Sequence, residues 1–309
     1  MPRCLCATGR VPTNEIIVAI DLNDIPTPGE LLRKHGLAPR KSWGQNFLHD
    51  RSVHAHIVRA ADAKPGQRVV EIGAGLGTLT CHLLATGASI WAIERDRDLC
   101  RVLRAELGHI DRFRLIEHDA VKFDYSEAAD ELHPRPSIVG NLPYQLTGPL
   151  LFKLLEHHEH TGAWVVMVQK EVADRLCAQP GSKRYGGLTA AMSRVRAVRK
   201  VCDVGPGSFL PPPRVDSAVV RLEPLANPRG EVDDAPAYLE LVRKAFQQRR
   251  KTLLNSLSVF ASKETVRHWC AEAGIDPSLR PERLGPEAFA ALARARAATP
   301  ALEDPGDDA

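Results

Sequence analysis

The sequence predicts an α/β fold: a largely parallel sheet covered by helices, followed by a small all-helical domain. Three observations carry this. From Arg68 onward, short apolar runs alternate with turns and helical patterns; two late strand patterns follow one another with no helix between them; and from about Ala235, helical segments are separated by Pro277, Pro281 and Pro286. The expected division is an N-terminal extension or linker over 1–28, a sheet domain over 29–228 and a helical unit with an acidic tail over 229–309.

Taken in order, residues 1–28 close with Asp24-Ile25-Pro26-Thr27-Pro28 and hold little structure beyond a short strand considered over Glu15 to Asp21. Arg68 to Ile72 then reads as a strand, Leu76 to Thr86 as a helix, Ser89 to Ile93 as a strand and Asp96 to Leu107 as a helix. Phe113 to Glu117 and Pro136 to Gly140 continue as strands, Pro149 to His157 as a helix, Trp164 to Val168 as a strand and Lys170 to Ala178 as a helix. Strands that are short, nearly continuous apolar runs fit a parallel sheet covered on both faces. A helix over Gly187 to Val195 precedes strands over Val198 to Val204 and Val215 to Leu222. The connection through Phe209-Leu210-Pro211-Pro212-Pro213 implies an antiparallel edge.

With 309 residues and 44% hydrophobic content, the chain can bury a sizeable core. The net charge of +3 is too mild to demand a nucleic-acid partner, but basic clusters at Arg194 to Lys200 and Arg243 to Lys251 contrast with the acidic Glu303 to Asp308. Seven scattered cysteines without a C-x-x-C pair argue against a disulfide framework or a structural zinc and suit a reducing cytoplasm. No apolar stretch approaches the roughly 20 residues of a membrane span, and the N-terminus lacks the order of a signal peptide. Cys4-x-Cys6 has no partner ligands nearby, so no metal is expected there. His157-His158-Glu159-His160 reads as a solvated helix end.

Chemistry concentrates at the strand ends. Glu71-Ile72-Gly73-Ala74-Gly75-Leu76-Gly77 follows a strand and opens a helix, and its glycines let backbone approach a ligand closely, so Gly73 and Gly75 are candidate ligand contacts. Thr78 stands where the dinucleotide fingerprint needs its third glycine, which disfavours pyrophosphate. Glu94 ends the next strand, where a carboxylate accepts from ribose hydroxyls, and Asp119 follows the third, beside an adenine edge. Singly, each has a plainer explanation as a turn, a solvated strand end or a cap. Together they describe one nucleoside crevice, and a glycine loop without phosphate geometry beside a ribose carboxylate points to S-adenosylmethionine rather than NAD.

Gly140-Asn141-Leu142-Pro143-Tyr144 ends the fourth strand and faces the same crevice. Leu142 precedes a proline and is held extended, while Pro143 offers no competing donor. Asn141 and the Leu142 carbonyl can accept hydrogen bonds, and Tyr144 supplies a planar face, as needed to hold an exocyclic amino group on a flat base.

From about Leu31 to Ala290 the chain resembles the KsgA-type ribosomal RNA adenine N6,N6-dimethyltransferases. The resemblance rests on Lys41 to Leu48, Glu71 to Gly77, Gly140 to Tyr144, Gln169 to Val172, Tyr185 to Leu188, Phe209 to Val220 and Phe246 to Leu257. It implies a Rossmann-like class I S-adenosylmethionine-dependent methyltransferase sheet. By position, it implies that Asn46 and Leu48 contact the cofactor, Gly73 approaches its methionine part, Glu94 holds its ribose, Asp119 meets its adenine, and Asn141 bridges cofactor and substrate. Tyr144 and Phe209 would sandwich the target base. The implied substrate is a pair of adjacent adenosines in the 3′-terminal hairpin loop of small-subunit RNA, within an assembling 30S particle in the cytoplasm. The helical unit and the basic helix Arg243 to Lys251 (Arg243, Lys244, Arg249, Arg250, Lys251) would grip RNA phosphates, and the default state is a monomer. Gln145 replaces the usual asparagine after the tyrosine, and Ala74 a frequent proline. The rivals are a methyltransferase of large-subunit RNA, as in the Erm branch, or of DNA adenine, and a non-enzymatic assembly factor that binds RNA.

Overall fold

The computed structural model describes residues 20–40, 43–248 and 250–299. Cys4, Cys6 and the acidic tail lie outside them. So does the strand considered over 15–21, apart from Ile20 and Asp21, which are irregular.

Three elements precede the first expected strand. Helix α1 (Pro28–Lys34) opens with a reciprocal cap in which Thr27 accepts from the Glu30 amide and Glu30 from the Thr27 amide. Strand β1 (Phe47–Leu48) is only two residues long. Helix α2 (Arg51–Ala61) starts where the Asp50 carboxylate accepts from the Ser52 and Val53 amides.

The alternation then runs as expected: β2 (Arg68–Ile72), α3 (Thr78–Leu84), β3 (Ser89–Glu94), α4 (Arg97–Leu107), β4 (Phe113–Glu117), β5 (Ser137–Asn141), α5 (Thr147–Glu156), β6 (Trp164–Gln169) and α6 (Lys170–Leu176). Helix α3 begins two residues later than expected because Gly77, at φ 83°, holds a left-handed conformation no helix continues. Helix α5 begins two residues earlier, since Pro149 falls in its first turn, where amides need no intrahelical acceptor. Then come α7 (Gly187–Val195), β7 (Arg196–Val204), β8 (Phe209–Leu210) and β9 (Ser217–Pro224). Four helices close the described chain: α8 (Ala235–Gln247), α9 (Leu253–Leu257), α10 (Lys263–Glu272) and α11 (Pro286–Ala298).

The main sheet has the order β4-β3-β2-β5-β6-β9-β7. Strands β2 to β6 pair in parallel, and β9 lies antiparallel between β6 and β7. The expected antiparallel edge is therefore present, with β7 outermost. Strands β1 and β8 form a separate antiparallel pair, Phe47 opposite Leu210 and Leu48 opposite Phe209.

Successive strand residues face opposite layers. Val69, Ile90 and Val165 pack against Ile57, Leu83 and Leu103 of α2, α3 and α4. On the other face, Val70, Ile138 and Val166 pack with Leu150 and Leu154 of α5, in a core that continues into Tyr238 and Leu241 of α8 and Phe289 of α11. Each such aliphatic side chain fully buried contributes about 1.5–3 kcal/mol. Arg196, 1% exposed, pins the start of β7. It donates to the carbonyls of Gly162 at 2.6 Å and His158 at 2.7 Å and stacks over Trp164.

Between α2 and α3, His54 and His82 lie with ring centroids 4.4 Å apart. His82 Nδ1 donates to the Thr78 carbonyl, whereas neither nitrogen of His54 has a partner among the described residues. Burial, reinforced by His82, pushes His54 down to about 3. Below pH 6.5 the unfolded chain therefore binds a proton that the folded chain refuses, so this site loses stability as pH falls towards 3. The stability gap between a His54→Leu variant and wild type should shift in the variant's favour by up to about 1.4 kcal/mol per pH unit below 6.5. Urea unfolding of both proteins between pH 7.5 and 5 measures it, and parallel curves would show that His54 titrates normally.

Candidate functional site

The carboxyl ends of β2, β3 and β5, with the loop after β4, surround a cavity of about 300 Å³. At its floor, β2 passes into the glycine turn. Gly75 has φ 60°, and a Cβ there would lie 3.3 Å from the Phe47 ring, so a side chain would collide with β1 as well as strain the backbone.

Glu94, at the end of β3, is 8% exposed. Its Oε2 accepts from the Gly75 amide at 3.0 Å, and its Oε1 from the amides of Arg95 at 2.8 Å and Asp96 at 2.9 Å. Burial pushes its carboxyl up from the ordinary glutamate range, while the three amides oppose that shift. Oε2 retains a lone pair for a further donor, such as a ribose hydroxyl. Asp119 is both cap and lining: its Oδ1 accepts from the Val121 amide, and its Oδ2 lies 3.8 Å from Arg95.

The wall opposite is the segment around β1. Trp43 lies beneath the guanidinium groups of Arg40 and Arg95. Gln45 Nε2 donates to Asp96 at 2.8 Å. Asn46 and Leu48 both line the cavity, and the Asn46 carbonyl accepts from Asn141 Nδ2 at 3.1 Å. A carbonyl can only accept, so this bond fixes the Asn141 amide with its nitrogen towards β1. Its Oδ1 and the Leu142 carbonyl have no intramolecular partner among the described residues.

These groups suit S-adenosylmethionine. Glu94 and Asp119 line the cavity beside the guanidinium of Arg95, with Asp96 paired to Arg40 at 3.0 Å and the buried Glu71 adding a further carboxyl. Such a lining favours a ligand bearing ammonium and sulfonium charge and disfavours a pyrophosphate.

Gly140 must lack a side chain because a Cβ would come 2.6 Å from the Ile72 carbonyl. Leu142 is 1% exposed, and the Pro143 carbonyl accepts from the Leu146 amide and the Thr147 hydroxyl, turning the chain into α5. Tyr144 lines the cavity, with its hydroxyl 2.6 Å from Ser217 Oγ on β9. Burial pushes its phenol up. Gln145 is exposed at the rim.

Phe209 departs from expectation. It is 2% exposed and packs in the core beneath α2, outside the cavity lining, so the structure does not assemble its sandwich with Tyr144. Pairing of Leu48 with Phe209 holds it there. The basic helix also differs. Helix α8 stops at Gln247, leaving Arg243 and Lys244 on the helix and Arg250 and Lys251 in the turn beyond; Arg249 lies outside the described residues. No apolar residue between Phe246 and Leu253 can anchor another turn to the core. The histidine tract is not simply solvated either: the His157 ring meets Tyr125 edge-on and His158 Nδ1 bonds the Leu155 carbonyl, leaving His160 exposed.

Two site groups escaped the sequence reading. Ser217 sits on a strand whose insertion between β6 and β7 leaves no periodic signal. Glu71 sits one residue before the end of β2 and is fully buried, with the Thr80 hydroxyl donating to its Oε2 at 2.6 Å. Its E-x-G spacing was the available sign.

A family model for Ribosomal RNA adenine dimethylase matches residues 36–295. The chain is 44% identical over 263 residues to a ribosomal RNA small subunit methyltransferase A from Magnetococcus marinus, covering 85% of this chain and 94% of that protein. The structure of a dimethyladenosine transferase from Plasmodium falciparum is similar, with TM-score 0.63 and 27% identity over 80% of this chain and 95% of that one. The 23S rRNA methyltransferase ErmE matches with TM-score 0.61 and 25% identity over 81% of this chain and 99% of that one.

Burial raises the Glu71 carboxyl to about 7, with Glu94 adding to the shift. A carboxyl raised in the folded state gives stability that is complete below its unfolded pKa and is lost as pH rises through 7. Relative to Glu71→Gln, wild type should therefore lose up to about 1.4 kcal/mol per pH unit between 4.5 and 7. Thermal or urea unfolding across pH 5–8 reads this out; curves that keep a constant separation would mean the carboxyl is ionised throughout.

Proposed function

The chain belongs to the ribosomal RNA adenine dimethylase family, and on that premise we propose that it dimethylates N6 of two adjacent adenosines in the 3′-terminal hairpin loop of small-subunit RNA. It is an S-adenosylmethionine-dependent ribosomal RNA methyltransferase. The higher identity to a small-subunit enzyme than to ErmE supports the small subunit as target. The proposal extends to an assembling 30S particle as substrate, the cytoplasm as location and a monomer as the working unit. No helix among the described residues is long and apolar enough to cross a membrane.

The observation that carries the reading is the pair of free acceptors, Asn141 Oδ1 and the Leu142 carbonyl, beside the Tyr144 ring. S-adenosylmethionine, when bound, supplies an electrophilic methyl group on a sulfonium. Gly73, Gly75, Glu94 and Asp119 hold it from the strand ends, and Asn46 and Leu48 from the β1 side. The lone pair of an adenine N6 is delocalised into the ring. Two acceptors gripping its two hydrogens favour a pyramidal nitrogen whose lone pair is free to attack, so positioning supplies most of the rate. Tyr144, its hydroxyl held by Ser217, stacks on the base and offsets unstacking, worth about 1–3 kcal/mol. The phenol remains protonated, and no strong base is required because N6 becomes acidic once it carries the incoming methyl. A monomethylated N6 keeps one hydrogen for this grip, which permits the second transfer. Pro143 braces the Leu142 carbonyl, and Arg243, Lys244, Arg249, Arg250 and Lys251 contact RNA phosphates in the helical unit over 229–309.

The test is methylation of purified small-subunit particles lacking the modification, followed by mapping of the product. Dimethyladenosine at two adjacent loop positions is expected, and product confined to large-subunit RNA or DNA would overturn the reading. Tyr144→Ala should abolish transfer while leaving S-adenosylmethionine affinity within about twofold, whereas Glu94→Ala should weaken that affinity about tenfold or more, the effect of losing a hydrogen bond to a charged group. Equilibrium binding of S-adenosylmethionine to both variants separates the roles; loss of cofactor binding in Tyr144→Ala would put the ring in the wrong subsite.

A further inference from the structure

A second cavity, of about 540 Å³, opens at the other end of the sheet, between the last turns of α5 and α7 and the first turns of α8. Its size falls within the roughly 300–1,000 Å³ of small-ligand sites, and such sites favour seams between packed units.

Its distinguishing feature is Arg194. This side chain is 8% exposed, lies over the Tyr238 ring at 5.1 Å and donates to the Gly230 carbonyl at 3.3 Å. Among the described residues no carboxylate lies within ion-pair distance of it, and Glu159 acts on it only from farther off, although a buried guanidinium is costly without a close countercharge. Arg243, exposed at the mouth, also has no carboxylate partner among them. The walls between these cations are apolar, formed by Phe152 and Leu239, whereas Glu156, paired with Lys153 at 3.5 Å, and Glu240, paired with Arg296 at 3.6 Å, stand at the same cavity with further lone pairs to accept. A simple fatty anion would meet those carboxylates unfavourably. A nucleotide satisfies all three features: a phosphate for the guanidinium groups, a flat apolar body for the walls, and base N–H donors for the carboxylates.

We propose that this cavity takes up one unstacked nucleotide of the ribosomal RNA substrate, well away from the methylated base. The inference rests on the reading of the chain as a ribosomal RNA methyltransferase. It makes the seam between sheet and helical unit a second RNA-recognition point.

The test compares wild type with Leu239→Trp, which fills the cavity without changing charge, and with Pro236→Glu, which sets a negative charge at an exposed lining position in the first turn of α8. Binding to unmodified small-subunit particles is measured by filtration, and S-adenosylmethionine binding serves as a control for an intact fold. Each variant should weaken particle binding tenfold or more with cofactor affinity unchanged. Pro236→Glu carries the test if Leu239→Trp fails to fold, since Pro236 is an exposed lining residue with no other expected part in RNA binding. Wild-type particle affinity in the folded variants would overturn the proposal. So would an outcome in which AMP binds wild type but not Leu239→Trp while both hold particles equally, since the site would then serve a free nucleotide. A wild-type protein that methylates no small-subunit RNA would instead overturn the proposed function.

Discussion

Everything about the cavity depends on one buried carboxylate. Glu94 accepts amides from the glycine turn after β2 and from the start of the loop after β3, extending past the last strand pairing the tie that the Gly73 amide begins at the Ile93 carbonyl. Removed from water, a carboxylate needs such donors, and main-chain amides at strand ends need acceptors. The two needs are met together, and one lone pair is left facing the cavity. The same bond network therefore shapes the floor and presents an acceptor to the cavity.

The wall around β1 transmits that order to the substrate side. Its Phe47 ring rests against Gly75, and the Asn46 carbonyl dictates how the Asn141 amide points. Reversal of that amide would set its oxygen against the Asn46 oxygen, so a single intramolecular hydrogen bond decides that the Asn141 atom left without a partner among the described residues is an acceptor. The carboxyl groups of the cavity are occupied with amides, hydroxyls and guanidinium groups, which suits the base-free transfer proposed above.

The parallel strands were legible because each is a short apolar run bounded by turn residues, and Glu94, Asp119 and Asn141 were legible because strand ends in such sheets face one crevice. The region 28–61 was harder to read. Thr27 with Glu30 is a capping signature that the sequence displays, and Asp50 before Val53 and Ile57 is another, but β1 is two residues long and exists only through its partner 161 residues later. The order that inserts β9 between β6 and β7 is a property of crossovers, so Ser217 could not be assigned to Tyr144 from periodicity. Phe209 was misplaced for the same reason. It lies between Pro206 and the run Pro211 to Pro213, whereas its burial is set by α2 and Leu48, elements distant in the chain.

The pairing of Leu48 with Phe209 joins the cofactor side of the cavity to the segment expected to meet the base, and it does so through main-chain hydrogen bonds. A connection of that kind is indifferent to side-chain identity except at proline. A substitution that shifts β8 therefore also shifts Leu48 and the cavity wall it forms.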